Sequence, residues 1–478
     1  MELTLLLAPD EAAKLQRLPV VKTARTGRAR GTGVRIVWHD SHDRALASHG
    51  LALAEERGTW RLERHRPINT EPWPPATDHR LIEEVNEPRA LSPVLPEATT
   101  PVAAFEGKRS VFPLTIDDEP ISMTLLDGNL RAVAAERPAT RLIIGGSCAI
   151  VRTLVVSLAE TLSIGVPEQS LATEALQLAD GIKPRPRRSG APVLPPEGMT
   201  VPAAFNHIMG HLSDVILNLA PLAADTASGP ENVHHMRVAV RRARSALSLF
   251  PPAPDGPSRA PVADGLKRLG QMLGTARDWD VFMTETVPPV EAALPEQHGL
   301  RPLLRSAGRR RNAARAALAA YLTGPEFRLL SLELACLSAA EPPSSDVAPP
   351  LIDFAAGVLQ TRWKKLSHAG KALDDLDDPG LHGVRLKAKR LRYAAEFFAP
   401  LFPEKPAVRF IRRLAALQER LGLFNDTTVA EALLRDLSGN PGYAAGLVLG
   451  FTSARRARAR PKIADAWARF RRGDPFWE

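Results

Sequence analysis

The chain has 478 residues, of which 44% are hydrophobic and 24% charged, and its formal net charge is +9. This length exceeds what one ordinary hydrophobic core serves, so two or three domains of a globular protein are expected. Two distant cysteines, Cys148 and Cys336, exclude a disulfide framework, and the most apolar stretch, 142–166, contains Arg152 and Glu160, which argues against a membrane span.

The positive charge is concentrated in the C-terminal part of the chain. Residues 201–478 hold 38 Lys+Arg against 28 Asp+Glu, whereas residues 1–180 carry a net charge of −4. We therefore expect a polyanionic partner on residues 201–478. The first residues have acidic flanks and no signal-peptide pattern, so the expected location is the cytoplasm.

The first 180 residues alternate short apolar runs with turn residues. The runs GVRIVWHD, TWRLERH, SVFPLTI, ISMTLL and TRLIIGG predict strands, and CAIVRTLVVSLAETL predicts a helix after them. Residues 1–180 are therefore predicted to be an α+β domain with an antiparallel sheet. Residues 181–200 are rich in Pro, Gly and Arg and are predicted to be a linker.

Residues 201–478 are dominated by long stretches with helical periodicity and contain an internal repeat. The segment 234–244 recurs as 382–392, and 273–278 recurs as 421–426, both at an offset of 148 residues. Two blocks in one register indicate a tandem duplication. We predict an all-α domain made of two helical bundles, about 201–340 and 350–478.

The repeated helix presents separate basic and apolar faces. At about 100° per residue, four side chains of the first copy, His234, Arg237, Arg241 and Arg244, fall within a sector of about 80°. In the second copy His382, Arg385, Lys389 and Arg392 share the equivalent sector. The apolar positions fall in another sector, which predicts a core-facing stripe. These positions are Met236, Val240, Ala243, Leu247 and Phe250 in the first copy, and Val384, Ala388, Leu391, Ala395 and Phe398 in the second.

The basic face predicts a binding site for a phosphate-rich anion, because arginine forms bidentate contacts with phosphate. A solvated surface is the usual interpretation of such a face, but its retention in both copies favours a ligand. His234 and His382 are predicted to lie in the first turn of their helices, where phosphate oxygens could accept a hydrogen bond. The candidate ligand-binding residues are His234, Arg237, Arg241, Arg242, Arg244, His382, Arg385, Lys389, Arg390 and Arg392.

Four further residues are candidates for supporting or metal-binding roles. Asp278 and Asp426 follow Leu-Gly in each copy, and we predict that they either cap a helix or hold an arginine of the stripe. His207 and His211 have the i,i+4 spacing of metal ligands, but no nearby carboxylate or cysteine completes a set. The sequence therefore predicts no metal site and no cofactor.

These motifs resemble the CHAD family, the conserved histidine α-helical domain. The matching features are His-x-x-Arg-x-x-x-Arg-Arg-x-Arg, the run Leu273–Phe282, the run Lys389–Phe398, and Pro-Phe-Trp at 475–477. The resemblance covers roughly residues 200–478. It implies two pseudo-symmetric helical bundles with a basic groove that binds polyphosphate and, as in some members of the family, an association with polyphosphate granules.

The N-terminal part resembles the CYTH family, the triphosphate-tunnel fold, through the segment Trp38–Leu46 and the Gly-Leu-Ala-Leu that follows. The family's Glu-x-Glu-x-Lys signature is reduced to Glu2, with Thr4 and Leu6 at its other two positions. The positions of the family's later paired arginines fall near Ala54 and Glu56 in this chain. The family's second acidic strand aligns near residues 141–143, which contain no glutamate, and its late Ser-Lys pair is replaced by Ser170-Leu171. Triphosphate hydrolysis needs metal-binding carboxylates and basic groups, so a degenerate domain is predicted.

The resemblance and the charge distribution together predict a non-enzymatic polyphosphate-binding protein. One alternative is an inorganic triphosphatase or other phosphohydrolase acting in the N-terminal domain. Another is nucleic-acid binding by the same basic surface, which the scarcity of aromatic residues on the arginine helices makes less favoured. No membrane partner is expected.

Overall fold

The computed structural model describes residues 1–64, 81–85, 98–182, 192–194, 199–252, 258–294, 300–340, 350–438 and 442–478. Side chains are described throughout these ranges except at 64, 81–85, 423–426 and 438. Much of the predicted linker, 183–191 and 195–198, lies outside the described residues. The chain forms an antiparallel sheet domain followed by helices, which confirms the predicted fold class.

The N-terminal domain is built on one eight-stranded antiparallel half-barrel in the order β1-β8-β7-β6-β2-β3-β4-β5. This agrees with the CYTH-like sheet expected for residues 1–180. The strands are β1 Glu2–Leu6, β2 Arg30–Asp40, β3 Leu51–Glu56, β4 Thr59–Arg64, β5 Leu81–Val85, β6 Thr100–Ile116, β7 Glu119–Ala132 and β8 Ala135–Gly145.

Helices cover both faces of this sheet. One face packs on the helix Cys148–Thr161, whose bounds agree with the helix predicted from the sequence to within one residue. The other face packs on the helix Leu171–Asp180 through Ala172 and Ala175. The helices of this domain are α1 Pro9–Leu15, α2 Pro19–Ala24, α3 Ala45–Ser48, α4 Cys148–Thr161 and α5 Leu171–Asp180. The sheet is thus a central layer with a core on each side.

All the regular secondary structure described in the C-terminal domain is helical. Its first part contains α6 Val201–Ala224, α7 Pro230–Leu249, α8 Ala260–Val281, α9 Pro288–Ala293, α10 Leu300–Leu322 and α11 Pro325–Ala339. Its second part contains α12 Leu351–Ala369, α13 Asp378–Phe398, α14 Glu404–Ser438 and α15 Tyr443–Arg471. A π-helical turn, Phe282–Thr286, joins α8 to α9.

The duplication is visible as two sets of four helices in the same register. Shifting α6, α7, α8 and α10 by 148 residues superposes their ranges on α12, α13, α14 and α15. Both sets contribute to one continuous hydrophobic core. Every predicted stripe residue belongs to that core or packs against it, because a wide apolar face on each helix must be removed from water.

Helix α11 joins the two domains. Its residues Leu332 and Cys336 lie in the core of the sheet domain, whereas Leu330, Leu334 and Leu337 lie in the helical core. A helix with apolar side chains on both faces is buried on both. Throughout the described ranges, no helix combines the length and the apolar character needed to cross a bilayer.

Candidate functional site

A cavity of about 230 Å³ lies between the two helical repeats, where α7 and α13 meet α8 and α14. Its polar lining comes from both copies of the repeated helix and from α8. The charged and histidine side chains at its wall are His234, Arg237, Arg241, Arg277, Asp278, Arg385 and Lys389. Five of the ten predicted ligand-binding residues therefore line one cavity. They include two pairs of equivalent positions, Arg237 with Arg385 and Arg241 with Lys389, which are 148 residues apart in the chain.

Arg237 is held across α8 by a pair of glycines. Its Nη1 lies 3.5 Å from the Gly270 carbonyl oxygen, and a Cβ atom placed on Gly274 would lie 2.9 Å from the same nitrogen. That separation is shorter than side chains tolerate, so the guanidinium occupies the room that Gly274 leaves empty. The Leu-Gly motif of the first repeat thus positions an arginine of the cavity.

The second repeat does not reproduce this contact. Gly422, the counterpart of Gly274, would have open space around an added Cβ atom. The two glycines occupy equivalent places on α8 and α14, yet only the first of them accommodates a cavity arginine. The pseudo-symmetry of the motif is therefore broken at the cavity wall.

The charges at the cavity wall shift one another's pKa. Loss of hydration lowers the pKa of Arg237, and the nearby carboxylate of Asp278 opposes that change. Burial raises the pKa of Asp278, while the guanidinium groups of Arg237 and Arg277 act in the opposite direction. Five permanently cationic side chains face one carboxylate at this wall, so an anion entering it gains attraction.

Asp278 lies in the last turn of α8, not at the start of a helix. The helix-capping interpretation of this residue is therefore wrong, because a capping side chain must precede the helix it caps. Its position beside Arg237 fits the other interpretation, that it holds an arginine of the stripe. The side chain of its counterpart Asp426 lies outside the described residues.

His234 lies in the cavity wall with an imidazole that stays largely uncharged at neutral pH. Burial lowers its pKa, as do the charges of Arg277, His235 and Arg241, against a smaller opposite effect of Glu285. Since α7 begins at Pro230, His234 lies one turn inside the helix, beyond the first turn where the sequence placed it. It contributes a hydrogen-bonding ring to the cavity rather than a fixed charge.

Two arginines at the wall differ in how far they are already bonded. The Nε of Arg241 is buried and meets no acceptor among the described residues. Arg277 donates to Glu285 at 2.8 Å, a carboxylate whose side chain is 59% exposed. A buried donor without an acceptor is costly, and an anionic ligand would remove that cost at Arg241.

Two predicted residues instead join the repeats through a shared carboxylate. Arg242 of α7 donates to Glu396 of α13 at 2.7 Å, and both side chains are 11% exposed. Arg392 donates to the other oxygen of Glu396 at 2.7 Å and to Gln418 at 3.4 Å. This ion pair, which we call the Glu396 clamp, fixes α7 against α13 and keeps both arginines away from the cavity wall.

Three other predicted residues also lie outside the lining of the cavity. Arg244 and His382 are exposed, and Arg390 lines a different groove. His207, one of the two histidines with metal-ligand spacing, donates from Nε2 to the Val193 carbonyl oxygen at 3.0 Å. No cluster of three metal-ligating side chains occurs in the ranges the structure describes.

Two important residues were missed although the motif at 273–282 contains them. Arg277 lies in the cavity wall, one position before the predicted Asp278. Asp280 is fully buried and accepts from Arg311 at 2.6 Å and from Arg315 at 3.2 Å. Arg315 also donates to the Ser228 carbonyl oxygen at 2.7 Å, so Asp280 anchors the loop before α7.

In the sheet domain, several charged residues on the face covered by α5 form ion pairs with one another or with α5. Glu56 accepts from Arg109 at 2.6 Å and from Arg61 at 3.2 Å. Burial alone would raise the pKa of Glu56, but these two guanidinium groups outweigh it and lower the pKa. Arg141, only 3% exposed, forms an ion pair at 2.6 Å with Glu174 of α5.

The motif residues of the sheet domain serve its own secondary structure. The carboxylate of Asp40 accepts hydrogen bonds from the backbone N–H groups of Leu46 and Ala47, each at 3.0 Å, and so caps the start of α3. Ser170 caps α5 by accepting the N–H of Thr173. Both positions belong to the segments that resemble the CYTH family, and here both stabilise helix starts.

Comparisons with known proteins agree with this arrangement of the helical domain. The crystal structure of the CHAD domain from the plant Ricinus communis is 30% identical, with a TM-score of 0.50, over 59% of this chain and 96% of that chain. Two uncharacterized proteins of Mycobacterium tuberculosis, from strains CDC 1551 / Oshkosh and ATCC 25618 / H37Rv, are 34% identical over 176 residues. That match spans 35% of this chain and 34% of their own length. The CHAD domain model matches residues 207–435, and the helical part of this chain is a CHAD domain.

Proposed function

We propose that the cavity between α7 and α13 binds inorganic polyphosphate and that the protein is a polyphosphate-binding module. The observation that supports this most is the convergence of cationic side chains from both repeats on one cavity. A linear polyanion of repeating phosphates suits such a wall, because each guanidinium offers paired donors to phosphate oxygens. The buried, unsatisfied Nε of Arg241 is one donor that such a ligand would engage.

Long chains should bind more tightly than short ones. The cavity is small, about 230 Å³, so a long polyphosphate would extend out of it along the exposed cationic residues of α7 and α13. Each additional phosphate contact releases condensed counterions, as in nucleic-acid binding, which makes the affinity fall steeply with salt. Arg244 and His382 are exposed on these helices and are candidates for such outer contacts.

The experiment is a titration of the full chain with long polyphosphate, triphosphate and duplex DNA at matched salt. We expect Arg241→Gln with Lys389→Gln to weaken long-chain binding by about 1.5–3 kcal/mol for each charge-assisted hydrogen bond removed, and to flatten the salt dependence. Arg268→Gln is the control, since Arg268 lies on α8 and pairs with Glu326 at the surface. Unchanged affinity in the folded double variant, or tighter binding of DNA, would refute the proposal.

We propose that the sheet domain is not a phosphohydrolase. Its covered face holds Glu56 and Arg141 in ion pairs, and α5 packs directly on the sheet there. Metal-assisted hydrolysis of triphosphate requires free carboxylates around an open substrate site. We expect no phosphate release from triphosphate or ATP with magnesium or manganese, and turnover that disappears in Glu2→Gln would establish the enzymatic alternative.

A protein that binds polyphosphate in this way would collect on polyphosphate granules. We therefore propose a cytoplasmic location on such granules in cells that accumulate the polymer. A fluorescent fusion should colocalise with stained granules, and the Arg241→Gln with Lys389→Gln variant should be diffuse. Equal recruitment of the variant would separate granule association from the cavity.

A further inference from the structure

A second, larger groove of about 790 Å³ lies between α12 and α13, at the C-terminal end of α7. At 100° per residue, Lys387 and Arg390 lie about 160° and 140° around α13 from Arg385, so the groove borders a different face of this helix from the one at the cavity. Its volume is within the range of small-molecule sites, about 300–1,000 Å³. This groove does not share any lining residue with the cavity.

The groove combines a cationic wall with an apolar one. Arg362, Lys365, Lys387 and Arg390 line it, and the one carboxylate in the lining belongs to Asp353. Among the described residues none of these four cations forms an ion pair. The apolar part of the lining includes Leu249, Phe354 and Val358.

Two of the four cations, Arg362 and Arg390, are close enough for one charge to affect the other. Burial lowers the pKa of Arg362, and the neighbouring charge of Arg390 lowers it further. Like charges held near each other repel, and the repulsion is relieved when an anion lies between them. The groove therefore has a charge arrangement that favours an anionic ligand.

The internal duplication explains why this charge is left uncompensated. The 148-residue offset relates the Glu396 clamp, Arg242 with Glu396, to the pair Arg390 and Ser248. Both of these counterparts line the groove, but position 248 carries no acid and Ser248 donates instead to the Ser245 carbonyl oxygen at 2.9 Å. One junction between repeats is closed by an ion pair, and its pseudo-symmetric counterpart is an open groove with an arginine at its wall.

We propose that the groove between α12 and α13 is a second anion site, which binds a phosphate ester carrying an apolar group. Its phosphate would take the place that the Glu396 carboxylate occupies at the other junction, against Arg390, Arg362 and Lys387. The apolar part of the ligand would lie on Leu249, Phe354 and Val358. Inorganic polyphosphate lacks that part, so this site and the cavity would select different ligands.

The first test is a calorimetric titration, at matched ionic strength, of the full chain carrying Arg241→Gln and Lys389→Gln, which removes competing anion binding in the cavity. The probes are ATP, dodecyl phosphate below its micelle concentration, inorganic triphosphate and adenosine. We expect ATP or dodecyl phosphate to bind at least tenfold more tightly than both triphosphate and adenosine, and the probe that binds identifies a nucleotide or an acyl-type ester. Binding of neither ester, or equal binding of triphosphate, would overturn the proposal.

Variants separate the groove from the cavity. Arg362→Gln with Arg390→Gln should weaken the ester by about tenfold or more, the scale of removing one charge-assisted hydrogen bond, and Arg241→Gln with Lys389→Gln should leave it unchanged. Ser248→Glu recreates the missing acid, so it should abolish ester binding without loss of fold or of polyphosphate binding. Ester binding that survives in Ser248→Glu and in the double arginine variant, or is abolished in the cavity variant, would refute the assignment.

Discussion

The Glu396 clamp should be among the most stabilising polar contacts of the helical domain. Glu396 accepts from Arg242 and Arg392, each at 2.7 Å, and it connects one repeat to the other. In Glu396→Gln the mostly buried guanidinium of Arg242 keeps its charge and loses its anionic partner. Removing one partner of a buried ion pair costs about 3–5 kcal/mol, because the remaining charge is left without water or a counterion.

The expected loss lies near the lower end of that range. Arg392 is 35% exposed and regains hydration when its partner is neutralised, so its share is small. Glutamine also retains one acceptor oxygen for Arg242. We therefore expect Glu396→Gln to lower the free energy of unfolding by about 3 kcal/mol.

The assay is urea unfolding followed by circular dichroism at 222 nm. The matched control is Glu326→Gln, which removes a carboxylate 3.6 Å from Arg268 in a pair whose side chains are both more than half exposed. That change should alter the free energy of unfolding by less than about 1 kcal/mol. If Glu396→Gln were no more destabilising than this control, the clamp would have no energetic role in joining the repeats.

Three other predictions follow from the contacts of the helical domain. Gly274→Ala should leave the helix equally or more stable, by up to about 1 kcal/mol, yet displace Arg237 and weaken polyphosphate binding in a titration, whereas Gly422→Ala should not change affinity. Because the pKa of His234 is lowered, the ring gains its charge only as the pH falls below about 6.5, so affinity should rise on acidification and His234→Gln should flatten that rise. Without ligand the same shift destabilises the protein on acidification, since the unfolded chain takes up the proton more readily. Asp280→Asn leaves two arginines unpaired and should cost about 3–5 kcal/mol in urea unfolding. A result with no pH dependence, or equal effects of both glycine changes, would contradict this account of the cavity.

The fold was predictable where periodicity is strong. The run beginning at Cys148 was predicted as a helix to residue 162 and forms α4 to Thr161. The apolar stripes of α7 and α13 were also correct, because side-chain spacing alone decides which face enters a core. Strand β1 and helix α5 were missed, since five- and ten-residue elements give weak periodic signals.

The sequence predicted which face of the repeated helix carries the basic side chains, but not which residues those side chains contact. Angular position on the helix grouped Arg244 with Arg237 and Arg241, but the cavity spans only the turns that face α8 and α13. Likewise nothing local marks Arg242 as the partner of Glu396, 154 residues away. Such pairings depend on tertiary contacts, which periodicity does not encode.

Helix α11 has a consequence for the order in which the protein acquires its structure. Arg152 of α4 donates to Glu333 of α11 at 2.6 Å across 181 residues of sequence, and Leu332 and Cys336 complete the core of the sheet domain. During synthesis, the first 180 residues emerge long before α11, which completes one of their two cores. We therefore expect the sheet domain to finish folding only after α11 has left the ribosome, with part of this core exposed until then.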